Sequence, residues 1–287
     1  MRHPFTAVLI CAAALALAYL LLPVAAIILR VSPGELVDQL TSPVARDALR
    51  VSVTTNLIAG ALIIAVGTPA AYLLATRNFP GRRLAITAVE LPLVLPPAVA
   101  GIGLLAAFGR SGAAGGRLDA IGLDIAFTQV AVVLAIIFVA GPFYLRQAIA
   151  AFQAVDPRLV DAARTLGDSP ARAFRRVVLP LAAGGLSAGW ALAFARGIGE
   201  FGATIIFAGN LPGETQTLPL AIYSELSRDL DTALAIGVLL IGVSALILAT
   251  VKLIPTWTDT ASPSTSIFRG GLSPYASPST SPGRRWP

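Results

Sequence analysis

A chain of 287 residues that is 56% hydrophobic and 13% charged, with a mean hydropathy of +0.79, carries half the roughly 25% of charged residues usual in a soluble domain. One core cannot hide that much apolar surface, so a freely soluble enzyme is excluded and lipid is the solvent for much of the chain. The net charge of +6 raises the question of nucleic acid, but its distribution follows membrane topology instead, and no nucleic-acid partner is expected.

A bilayer core about 30 Å thick needs a helix of about 20 mostly apolar residues to cross it. Six runs qualify: 5–29, 51–75, 84–108, 125–151, 181–207 and 232–254. The first, at about 25 residues, exceeds the roughly 7–15 of a signal-peptide core and is taken as a retained span. With the N-terminus in the cytoplasm, the inner segments hold fourteen of the 21 Lys and Arg residues. The outer segments hold six (Arg30, Arg46, Arg50, Arg110, Arg117 and Arg228), and Arg196 lies within a helix. That bias places both termini in the cytoplasm of a multi-pass cell-membrane protein. After Pro255 the chain turns to Ser, Thr, Pro and Gly, so 255–287 is expected to be a disordered cytoplasmic tail.

Several chemistries are missing. The single Cys11 and single His3 offer no Cys/His cluster for a metal and no intrachain disulfide. The phosphate-cradling pattern GxxxxGK[ST] is absent, and Lys252 is the only lysine. If ATP drives this protein, ATP and Mg are bound by a partner ATPase, and no catalytic residue or cofactor is expected in this chain. An ion-coupled secondary transporter would place ionisable residues in several spans. Here the fourth has none before Arg146, and only the fifth has a clear pair, Arg196 and Glu200.

The cytoplasmic loop at 152–180 carries the strongest signal. Asp156-Pro157 starts a helix, Asp as the cap and Pro at the first position, and Gly167 stops it. Ser169-Pro170 starts a second helix expected to end before Pro180. Leu159, Ala163 and Leu166 share one face, a surface suited to docking a partner. The run Asp161-Ala162-Ala163, three residues, Gly167, nine residues, then Val177-Val178-Leu179-Pro180 resembles the "EAA" loop of ABC importer permeases. Every interval matches, with Asp161 in place of Glu and Val177 in place of Ile. The resemblance covers about residues 50–254 and implies that Asp161, Ala162, Ala163 and Gly167 contact a cytoplasmic ATPase subunit.

In the fifth span, Arg196 and Glu200 lie four apart on one helical face, beside Gly197, Gly199 and Gly202, which permit close helix approach. The pair is either a structural ion pair or part of a pathway face, and the two roles are compatible. The stretch Gly199-Glu200-Phe201-Gly202, followed by Pro212-Gly213-Glu214-Thr215-Gln216-Thr217-Leu218-Pro219, is similar to permeases of the molybdate/sulfate group, the second part closer to molybdate. Arg196, Gly199, Glu200, Phe201 and Gly202 are thus pathway or gate candidates.

The expectation is an all-α integral membrane protein of about six transmembrane helices with the small ABC importer permease (type I-like) fold. Its permease domain would span 1–254. The resemblance implies two cytoplasmic ABC ATPase subunits, an extracytoplasmic molybdate-binding protein and a second permease copy in a homodimer. Sulfate or thiosulfate is the alternative substrate; an ion-coupled transporter or a membrane scaffold is the alternative of another class.

Overall fold

The computed structural model describes residues 4–253, so the expectations for His3 and for the tail at 255–287 lie outside the described residues. In chain order the helices are α1 (Pro4–Arg30), α2 (Pro33–Leu40), α3 (Pro43–Thr76), α4 (Arg82–Val94), α5 (Pro97–Phe108), α6 (Gly115–Asp119) and α7 (Gln129–Gln153). They continue as α8 (Pro157–Thr165), α9 (Pro170–Ala173), a π-helical turn (Phe174–Val178), α10 (Leu179–Ile198), α11 (Gly202–Phe207), α12 (Leu218–Glu225) and α13 (Leu230–Leu253). No strand occurs among the described residues.

Five stretches are long and apolar enough to cross a membrane: 5–30, 43–76, 129–153, 170–198 and 230–250. The third expected span, 84–108, is not one helix. It is α4 and α5, bent by 117°. Pro96 and Pro97 supply no N–H, and each disfavours helical geometry in the residue before it; Leu95 and Pro96 are accordingly extended, with ψ near 133° and 132°. The fifth expected span, 181–207, also breaks, at Gly199–Phe201 between α10 and α11. The second loop helix does not end before Pro180 but runs through α9 and the π turn into α10. Pro180 cannot donate to the preceding turn, and the wider π turn at Phe174–Val178 lies where its ring meets that turn. Three short helices, α2, α6 and α12, were not expected at all.

α3 begins eight residues earlier than expected. Ser42 caps it by accepting the Ala45 N–H at 3.3 Å, with Pro43 next in line. Its 34 residues span about 50 Å at 1.5 Å each, more than the apolar slab needs.

The core is a three-helix contact of α3, α7 and α10, lined by small residues such as Ala59, Ala71, Ala131, Ala135, Ala140 and Ala193. Lipid offers no hydrophobic drive between helices, so close backbone approach and interhelical hydrogen bonds hold them together. Asn56 of α3 donates to the Phe194 carbonyl of α10 at 3.0 Å, and the hydroxyls of Thr68 and Tyr144 join α3 to α7 at 2.6 Å. Ser52 of α3 accepts the Leu218 N–H at 2.7 Å and so fixes the start of α12. α11 packs on α5, α12 on α13, and α1 on α13.

Candidate functional site

The loop of 152–180 is built by its caps. Asp156 accepts the Arg158 N–H at 2.9 Å and opens α8. At the other end the Gly167 N–H donates to the Arg164 carbonyl at 3.0 Å and the Asp168 N–H to the Ala163 carbonyl at 3.1 Å. This paired closure requires a left-handed residue, and Gly167 supplies it with φ of +95°. Asp161 and Ala162 are exposed and Ala163 is half-buried. Leu159 is 47% and Leu166 89% exposed, so these two apolar side chains of the α8 face have little cover among the described residues.

The root of the loop is packed by aromatic rings. Tyr72 of α3, Phe152 of α7 and Phe174 of the π turn form an aromatic trio, with ring centroids 5.4 Å, 4.7 Å and 6.1 Å apart. Beside it a cavity of about 340 Å³ is lined by Tyr72, Phe152, Val160, Asp161 and Val178 among others. α8 contacts the π turn, whose Phe174 packs on Tyr72 and Phe152 at the ends of α3 and α7. This aromatic trio was missed in the sequence, where three rings about 80 and 20 residues apart give no periodic signal.

The second region lies at the two helix breaks. Glu200 is not on the fifth helix, as its spacing from Arg196 suggested, because α10 ends at Ile198. The two side chains meet nonetheless, Arg196 Nη2 lying 2.7 Å from Glu200 Oε2. Glu200 Oε1 accepts the Ala203 N–H at 2.8 Å, which holds the carboxylate against the first turn of α11. Oε2 is buried and makes no hydrogen bond; the guanidinium contact is thus ionic, lying off the line of its N–H bonds.

The candidate glycines differ. A Cβ on Gly197 would fall 2.4 Å from Asn56 Oδ1, and one on Gly202 would fall 2.7 Å from Pro97 Cβ, whereas Gly199 faces only its own helix. Gly202 thus seats the α10–α11 break against the α4–α5 break. Phe201 packs its ring on Tyr223 of α12, centroids 5.2 Å apart. At the α4–α5 break lies a cavity of about 140 Å³, walled by Pro92, Leu93, Leu95 and Pro97, by Val139 and Phe143 of α7, and by Arg196 of α10. The apolar wall was also missed; the adjacent Pro96-Pro97 was the signal that could have found it. A larger cavity of about 780 Å³, between Arg110 and Asp124 at the far end of α5, touches neither region. It is an open cleft between loops, and its two charged groups, Arg110 and Asp124, pair with each other.

Residues 50–256 match the family of binding-protein-dependent transport system inner membrane components. The chain is 41% identical over 243 residues to the molybdenum transport system permease protein ModB of Mycobacterium tuberculosis, covering 84% of this chain and 92% of that protein. It is 36% identical over 237 residues to a probable sulfate transport system permease protein of Nephroselmis olivacea, covering 81% and 84%. Among solved structures, a chain of a bacterial alginate ABC transporter shares the fold with a TM-score of 0.68 at 17% identity, over 86% of this chain and 92% of that one. The family match begins within α3 and takes in the α8 loop and both helix breaks, so this multi-pass membrane protein belongs to the inner membrane components of binding-protein-dependent transport systems.

Proposed function

We propose that this chain is the membrane-spanning permease of an ABC importer that carries molybdate into the cytoplasm, using ATP hydrolysed by a partner subunit. The observation that carries the transport reading is α8: a doubly capped helix with Leu159 and Leu166 exposed, joined through the π turn to the ends of α3 and α7, in a sequence with no GxxxxGK[ST] phosphate-binding pattern. Asp161, Ala162, Ala163 and Gly167 would meet the ATPase there, and ATP and Mg would stay with that partner. The substrate reading rests on the similarity to the molybdenum permease, which exceeds that to the sulfate permease in identity and in coverage. Tungstate, of the same shape and charge, would pass as well. The sulfate relative supports sulfate as the second reading.

Orientation follows the basic residues, with both termini and α8 cytoplasmic. A second copy, as a homodimer, would complete the pathway, and a molybdate-binding protein would dock outside. In alternating access, closure of the ATPase pair moves α8. The aromatic trio passes this movement to α3, α7 and α10, and the breaks at Leu95–Pro97 and Gly199–Phe201 are where the apolar spans can open. Arg196, Gly199, Glu200, Phe201 and Gly202 belong to that path. The chain itself makes and breaks no bond.

The test is the ATPase activity of the complex in proteoliposomes with binding protein carrying molybdate, tungstate or sulfate. Stimulation by the first two supports the reading, and stimulation by sulfate alone moves the chain to the second. Uptake with no ATPase present overturns it in favour of an ion-coupled carrier.

A further inference from the structure

An ion pair that is only structural offsets its desolvation with several well-aligned hydrogen bonds, often two parallel ones from the guanidinium. The Arg196–Glu200 pair does not. Its one contact is 2.7 Å and off the N–H direction, and Glu200 Oε2 has no hydrogen bond. The burial is lopsided too: the Glu200 side chain is 1% exposed and that of Arg196 30%. The carboxylate is fixed by the Ala203 N–H, while Arg196 borders the 140 Å³ cavity at the α4–α5 break. A guanidinium has five N–H donors, and no other acceptor meets that of Arg196 among the described residues.

Resting on the oxyanion-importer reading, we propose that Arg196 is the transient contact for the tetrahedral dianion inside the permease, and that Glu200 competes with the dianion for the guanidinium. The anion enters the cavity, takes the free N–H donors and displaces the carboxylate contact. Glu200 cannot follow, being held at α11, so its charge remains beside the anion and drives it onward as the ion pair re-forms. The rest of the wall (Leu93, Leu95, Val139, Phe143) offers no second cation, so the anion is passed on and not retained. A lone arginine would hold the dianion, and a lone glutamate would repel it.

The experiment uses the purified permease–ATPase complex without binding protein and measures retention of radiolabelled tungstate, with sulfate as competitor. Glu200→Gln keeps an oxygen for the Ala203 N–H while removing the competing charge. It should retain tungstate at least about tenfold more tightly than wild type, and Arg196→Gln with Glu200→Gln should abolish that gain. Binding by Glu200→Gln no tighter than wild type, or equal binding by the double variant, overturns the proposal. A second measurement leaves the pair intact: Leu93→Asp should lower uptake per ATP hydrolysed well below Leu93→Asn, and equal values overturn it. Failure of the importer reading itself is seen separately, as a wild-type complex that no loaded binding protein stimulates.

Discussion

The side-chain amide of Asn56 on α3 donates to the Phe194 carbonyl on α10 at 3.0 Å, tying two spans together 138 residues apart within an apolar interior. Asn56 is 1% exposed, so its alternative partner is nothing at all. Interhelical hydrogen bonds in membranes contribute about 0.6–2 kcal/mol. Asn56→Ala should therefore lower the stability of the solubilised protein by about 1 kcal/mol, measured by thermal unfolding in detergent.

Gly197 shares that contact. Its added Cβ would lie 2.4 Å from Asn56 Oδ1 and 2.8 Å from Ile136 Cγ2, so Gly197→Ala should destabilise by about 1–3 kcal/mol through overpacking. Gly103→Ala is the control, because nothing lies within 4 Å of that position; it should be neutral or slightly stabilising. Combining Gly197→Ala with Asn56→Ala should cost less than the sum, since one clash partner is gone. A fully additive double variant would contradict the geometry.

At Gly167 the constraint is conformational and not steric: φ is +95° and no atom lies within 4 Å of where a Cβ would stand. Asparagine tolerates left-handed backbone far better than a β-branched residue. Substrate-stimulated ATPase should fall in the order Gly, Asn, Ala, Val. If Gly167→Asn and Gly167→Val were equally inactive, the role of Gly167 would be contact with the partner instead of closure of α8.

Asp229, just before α13, has its carboxyl held below the ordinary 3.8 chiefly by the Thr232 hydroxyl, which hydrogen-bonds it. A depressed native value means that this bond's contribution is present above the unfolded value and is lost as pH falls through the native one. The first turn of α13 should therefore loosen below about pH 4, seen as faster hydrogen exchange after correction for the intrinsic rate. Asp229→Asn should remove that pH dependence.

Much of this was legible in residue order because it is local. Apolar length gives the spans, Asp156, Pro157 and Gly167 give α8 its ends, and the interval from Asp161 to Pro180 marks the loop. Each of these rests on neighbours within a few turns of helix. What apolar length could not decide is where a continuous apolar run stops being one helix. Hydropathy sees 84–108 and 181–207 as uniform, because lipid exposure depends on composition and not on backbone direction. Pro96-Pro97 broke the first of these runs locally, but the 117° angle between α4 and α5 and the seat of Gly202 on Pro97 were set by packing. Arg196 and Glu200 were paired by a helical spacing that does not exist, since α10 ends at Ile198; their contact comes from the carboxylate's hold on the Ala203 N–H. The cavity, the Asn56 tie and the aromatic trio likewise join residues far apart in sequence, and such contacts exist only once the helices have chosen their neighbours.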